Sequence, residues 1–310
     1  MASYTNDALT MAFRDTYELA AFDGRSVLEQ AGVCEMARGD HAIYNFEGLD
    51  TMSAPSQITT KNAVAAPAAI SANNRMMVTK VFYKEVVVDD IADIKETIAD
   101  PKSKLVQQFM NWFRLINDQE GIAAAAGNVL IGRPGSAGTS TSAASDGVVT
   151  IDASAGLTDA IVNKIATKFI NLEEYENTIG AAFIITGTEQ AQLLALTTEI
   201  NKLYLTSDLE RKNLVGHLRN MINVFTVPGS DAETTVPSAR RRIAESSGYR
   251  LCPVLAKGAL YSKFGIDKVV YHKDNPNYAN SDTLKVVFRV GHMRTKGSKV
   301  LLVKTTIETA

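Results

Sequence analysis

Cysteine is scarce in this sequence: Cys34 and Cys252 stand alone, with no CxxC spacing. Such a pair suits small buried side chains in a reducing compartment and argues against a disulfide framework or a cysteine zinc site. Histidine is scarce too. His41, His217, His272 and His292 are scattered, without the HxxxH or HExxH spacing that sets two ligands on one helix face. Net charge is −2 over 310 residues, so no global field concentrates nucleic acid. No run approaches the roughly 20 apolar residues that span a bilayer. The opening MASYTNDALT lacks the basic-then-apolar order of a secretory leader.

Catalytic fingerprints are missing as well. GNVLIGRP at 127–134 has two glycines at P-loop spacing, but Arg133-Pro134 stands where Lys-Ser/Thr is required. No GxGxxG follows a strand, and no GxSxG elbow occurs. DDIAD at 89–93 matches the spacing of magnesium–diphosphate clusters in prenyl transferases. That chemistry needs a second acidic cluster in an all-helical chain, whereas acidic residues at the positive end of a helix dipole explain the run without a metal. Arg240-Arg241-Arg242 is the only basic run, fitting an exposed loop or a contact with a phosphate or a partner's carboxylate. A Ser–His–Asp set is a matter of geometry that sequence does not exclude. No cofactor or metal is expected.

What is present is an ordinary core composition, 45% hydrophobic and 21% charged. Residues 4–38 suggest a helical or loosely helical arm, with Leu9, Phe13, Tyr17 and Ala20 at helix-like spacing. A short strand is predicted at 42–48 and a long one at 75–88, RMMVTKVFYKEVVV, whose mixed polarity on one face suggests a changing environment. Between them lies SAPSQITTKNAVAAPAAISAN, residues 53–73, with Lys61 as its single charge. It is too poor in large apolar groups to offset its own ordering entropy and too poor in charge for a solvated disordered segment. The three stretches together make an extended hairpin or flap, ordered from outside.

Residues 100–126 give the clearest helix signal, with Asp100 as cap, Pro101 at the first position and a stripe of Leu105, Phe109, Trp112, Phe113 and Ile116. GRPGSAGTSTSAASDG at 132–147 reads as an exposed loop. From 156 to 264 helices alternate with short apolar strands, an α/β unit in which Thr188 is the expected cap of the second helix. Strand-rich segments close the chain at 267–306.

This order of parts resembles the major capsid proteins of tailed bacteriophages, the HK97-like fold. The resemblance implies an α+β chain built of an N-terminal arm (1–42), an E-loop (43–88), a peripheral domain (89–155 and 265–310) with its spine helix at 100–126, and an axial domain (156–264). It rests on layout, in which FIITGTEQAQLLALT, INVFTVPGSD and LCPVLAKGALYSKFG follow the family's order of axial elements.

The resemblance implies a structural, non-enzymatic protein that assembles with itself, as pentamers and hexamers, into an icosahedral shell around double-stranded DNA. Flap residues Ile58, Lys61, Val64 and Ile70 and arm residues Phe13 and Tyr17 would meet neighbouring subunits. Arg240, Arg241 and Arg242 would sit near a capsomer axis. DNA contacts would be weak and sequence-independent. A portal and a separate scaffolding or decoration protein are implied partners, and no membrane is. With the arm at the start of the chain, no scaffolding segment is expected ahead of it. The expected location is the virion capsid, after synthesis in the host cytoplasm. Some family members cross-link a flap lysine to an asparagine, which here would join Lys61 to Asn275, Asn277 or Asn280. An ordinary solvating charge explains Lys61 without that bond. Two other readings are a soluble α/β enzyme or ligand-binding protein whose site is hidden from sequence, and an encapsulin-like nanocompartment shell.

Overall fold

The computed structural model describes residues 26–39, 41–49, 72–88, 101–132, 136–171, 179–196, 214–218, 222–227, 243, 245–246, 248–276 and 281–307. Phe13, Tyr17, Ile58, Lys61, Val64, Ile70, Arg240, Arg241, Arg242 and the DDIAD run lie outside these residues.

The described part of the arm opens with a short helix, α1 (Val27–Ala31). Ser26 caps it by accepting the Glu29 N–H, and Gly32 closes it at φ 64, a left-handed conformation that favours glycine. A strand rather than more helix follows, β1 (Cys34–Met36). Next, β2 (Ile43–Leu49) and β3 (Ala72–Val78) pair antiparallel, from Ile43 opposite Val78 to Leu49 opposite Ala72. They form the base of the hairpin read from the sequence.

RMMVTKVFYKEVVV is not one strand. It breaks at Thr79 into β3 and β4 (Lys80–Val88), which belong to different sheets. The Thr79 N–H and hydroxyl both donate to the Ala42 carbonyl at 3.0 Å, and the ladder changes partners there. Gly291 admits the bend, since a Cβ at that position would lie 2.9 Å from Thr79 Cγ2. The mixed polarity along the run therefore marks a change of sheet.

The long helix α2 (Pro101–Ala126) has the expected bounds within a residue. Its Phe109 and Phe113 pack on Val286, Phe288 and Val290 of β14 (Ser281–Arg294), with Phe113 edge-on to Phe288 at 5.2 Å. Trp112 does not share this stripe and is 43% exposed. Successive helical residues are rotated by about 100°, so the position before Phe113 falls on the flank of the buried face. β14 pairs on one side with β13 (Leu260–Asn275) and on the other with β4, giving the sheet order β1-β13-β14-β4.

After α2, β5 (Val129–Ile131) and β6 (Thr139–Thr141) complete a second sheet, β2-β3-β5-β6. The stretch 132–147 is thus only partly loop. The two glycines of GNVLIGRP flank a strand that follows a helix, whereas a phosphate loop must open one.

The third sheet has seven strands. Its main path runs β7 (Val149–Ala153), β15 (Val300–Thr306), β12 (Tyr249–Leu255), β8 (Ala181–Ile185), β10 (Ile222–Thr226) and β9 (Leu214–Leu218), with β11 (Glu245–Ser246) attached to β12. Every residue of β8 is buried, as a strand covered on both faces requires. Helix α3 (Asp159–Asn171) turns Val162, Ile165 and Phe169 into this core. Helix α4 (Gly187–Ala195) starts one residue before the predicted cap: Thr186 is its N-cap, in a capping box with Glu189. β15 was expected with the closing strands at 267–306 but lies in this sheet, between β7 and β12. Its VLLV core is apolar on both faces, which the half-covered sheet of β13 and β14 would not accommodate. Among the described residues no helix is long and apolar enough to cross a membrane.

Candidate assembly surfaces and their buried anchors

The hairpin base packs Tyr44, Phe46 and Met77 against Tyr261 and Met293 and is also joined to the body by charge. Arg75, in β3, places both terminal guanidinium nitrogens on the Asp146 carboxylate, at 2.7 and 2.9 Å. Arg294, at the end of β14, donates from Nε to the same carboxylate at 3.2 Å. The Asp146 side chain is 3% exposed. Arg294 Nη1 also donates to the carbonyls of Ala124, Ala125 and Gly127, where α2 ends. That last turn carries no basic residue of its own, so Arg294 supplies the cation its dipole favours. Arg75 Nη1 closes the set on the Arg294 carbonyl at 3.2 Å.

Two cations and one anion leave one positive charge in excess, facing the negative end of a 26-residue helix. Bidentate arginine geometry makes this arrangement directional, which a lysine would not.

A second buried network joins α1, α2, β13 and β14. His292 Nε2 donates to Asn117 Oδ1 at 2.8 Å, and Ser262 Oγ lies 2.7 Å from Nδ1. Both ring nitrogens are used inside the core, so this serine and histidine present no activated nucleophile to solvent. Burial lowers the His292 pKa to about 4, keeping the imidazole neutral. Burial likewise pushes the neighbouring Cys34 thiol up to about 11. Asp118, beside Asn117, accepts the Val27 and Leu28 N–H groups at 2.9 and 3.1 Å and the Ser26 hydroxyl.

A third network braces the seven-stranded sheet. Glu189 accepts from Thr186 N–H at 3.0 Å and from the Thr305 hydroxyl at 2.7 Å, with Arg250 Nη1 at 3.5 Å. Desolvation pushes the Glu189 carboxyl up, but these hydrogen bonds and the arginine's charge hold it below its ordinary value. Buried ionic groups with several partners each make a rigid frame.

The exposed apolar side chains lie elsewhere. Val81 and Tyr83 project from β4, an edge strand among the described residues, and Tyr83 is 70% exposed. Lys285 Nζ sits 5.2 Å from the Tyr83 ring centroid. Ile43 and Val78 face solvent where the hairpin begins. No group of metal-ligating side chains occurs among the described residues.

Sequence reasoning missed Arg75, Asp146, Arg294, Asn117 and His292. Asp146 sits in what reads as a polar loop, and the sole hint is the turn dipeptide Asp146-Gly147.

No family model and no curated protein matches the sequence. Solved structures do match. The head structure of Helicobacter pylori bacteriophage KHP40 aligns with a TM-score of 0.62 at 9% identity, over 89% of this chain and 87% of that one. The capsid of Ralstonia phage GP4 gives 0.60 at 11% identity, over 93% of both chains. The cyanophage Pam1 capsid gives 0.58 at 12% identity, over 89% of both.

The chain has the phage capsid fold. With three sheets and few helices among the described residues, and near-complete overlap, the α+β, HK97-like architecture expected from the sequence layout is the one observed. The seven-stranded sheet is one main layer of the described residues, and the long helix packed on β4, β13 and β14 is another.

Proposed function

We propose that this protein is a major capsid protein, building a closed icosahedral shell from copies of itself around double-stranded DNA. The carrying observation is the capsid fold over about nine-tenths of this chain and of its structural neighbours. Function then resides in interfaces, with no enzymatic step. In all three buried networks the titratable groups, among them Asp146, His292 and Glu189, are bonded to neighbouring core groups, which favours a scaffold over a reaction centre.

In this reading the arm is 1–42, the flap 43–88, the peripheral domain 89–155 and 265–310, and the axial domain 156–264. Phe13, Tyr17, Ile58, Lys61, Val64 and Ile70 meet neighbouring subunits, and Arg240, Arg241 and Arg242 lie near a capsomer axis. A long two-stranded hairpin is marginal alone in water. Laid on a neighbour, a segment with one charge in 21 residues gains contacts while desolvating almost nothing ionic. Contacts between unlike surfaces must close on themselves to give a finite shell.

With a net charge of −2 on the subunit, DNA is enclosed rather than gripped. The location is the virion, with a portal and a separate scaffolding or decoration protein as further partners. Expression of the full chain followed by sedimentation tests the reading. Fast-sedimenting particles of one size support it, and a monodisperse monomer or dimer at all concentrations contradicts it. Nuclease-protected DNA within particles from infected cells separates a virion from a protein-filled nanocompartment.

A further inference from the structure

We infer that the Arg75–Asp146–Arg294 triad is a positioning clasp that sets the angle at which the hairpin leaves the subunit, and through it the curvature of the assembled shell. The inference rests on the capsid reading for its consequence, but the clasp itself is a property of the single chain.

Three observations carry it. First, the hairpin base rests on the body through contacts that fix place more than direction. Tyr44, Phe46 and Met77 pack with Tyr261 and Met293, β3 pairs over two residues with β5, Arg75 opposite Ile131 and Met76 opposite Leu130, and Thr79 turns on the Ala42 carbonyl. Apolar packing is non-directional, so the angle of the hairpin is left to its polar contacts.

Second, Arg75 gives the hairpin a directional contact with the body. Its guanidinium is planar, and two parallel bonds to one carboxylate fix orientation as well as distance. Asp146 is itself held by Arg294, and Arg294 is held by the end of α2. The hairpin is thereby referenced to the longest helix among the described residues. Arg75 and Phe46 are cross-strand partners, so rotation of this one residue carries both strands with it.

Third, the charges are distributed so that the clasp is separable from folding. Removal of Arg75 leaves Asp146 and Arg294 as a balanced pair still bonded to the helix carbonyls. Removal of Asp146 leaves two buried guanidiniums without a counter-ion, which costs the fold itself. Arg75 is the member that can be lost while the body survives.

The test compares Arg75→Met and Arg75→Lys with the parent protein. Methionine keeps volume and removes the fork, and lysine keeps charge and removes bidentate geometry. Both variants are expected to retain parental far-ultraviolet circular dichroism and to lose closed particles of single diameter, giving open sheets or mixed sizes. A second readout does not require assembly. Spin labels at Glu47→Cys on the hairpin and Ala123→Cys on α2 report the hinge, in a background carrying Cys34→Ser because Cys34 is partly exposed, while Cys252 is fully buried. The inter-label distance distribution is expected to be narrow in the parent and broader in both variants.

Unchanged particle diameter together with an unchanged distance distribution overturns the clasp. Unfolding of Arg75→Met and Arg75→Lys overturns it too, because the triad would then be a folding element. A parent protein that forms no particle removes the capsid reading, and the distance distributions alone then decide the clasp.

Discussion

The Asp118 carboxylate of the long helix accepts the Val27 N–H at 2.9 Å across 91 residues of chain. A helix of five residues cannot stand on its own hydrogen bonds. It is pinned where the arm enters the body, by a carboxylate that satisfies N–H groups its own cap leaves open.

Asp118→Ala removes those acceptors and leaves buried donors exposed to nothing. The expected loss is about 2–3 kcal/mol in chemical denaturation, the scale for hydrogen bonds to a charged group. A stability equal to that of the parent contradicts the pinning role.

Phe113→Ala and Trp112→Ala are expected to differ sharply although they are neighbours. Phe113 is core, and its truncation is expected to cost about 3–5 kcal/mol. The exposed Trp112 is expected to cost about 1 kcal/mol or less. Urea titrations of the two variants check this, and equal midpoints would place the helix face elsewhere.

The largely desolvated imidazole of His292 gives a pH dependence of known sign. Its pKa in the folded protein is about 4, below the ordinary 6.5, so the unfolded chain binds the extra proton first. Stability is fully present above about pH 6.5 and falls as pH drops toward 4, by at most about 1.4 kcal/mol per unit. His292→Asn removes that proton, and its stability between pH 7 and 5 is expected to fall less steeply than the parent's. Parallel slopes would remove His292 from the account.

Replacing residues 54–72 with a short Gly-Ser turn is expected to leave a folded, helical subunit that no longer closes into particles. Circular dichroism and sedimentation together read the outcome. Particles of parental size from this deletion would mean that the flap does not join subunits.

Much of this architecture was legible because local and global signals agree. The helix over 100–126 has a proline start and an apolar stripe, and AAFII is apolar throughout because both faces are covered. The hairpin base was legible for the same reason, with two strand-like runs flanking a segment that fits neither core nor solvent. What was not legible depends on long-range geometry. Thr79 looks like any strand threonine until Ala42 and Gly291 are beside it. β15 reads as one more closing strand, and only sheet pairing places it between β7 and β12. Asp146 reads as a polar loop residue because its partners, Arg75 and Arg294, lie 71 and 148 positions away.

Electron microscopy of the purified full-length protein in negative stain tests the central claim most directly. The account predicts closed, hollow shells of one diameter, with pentameric and hexameric clusters on their surface. Fields of isolated compact subunits, unchanged as concentration rises, would contradict it.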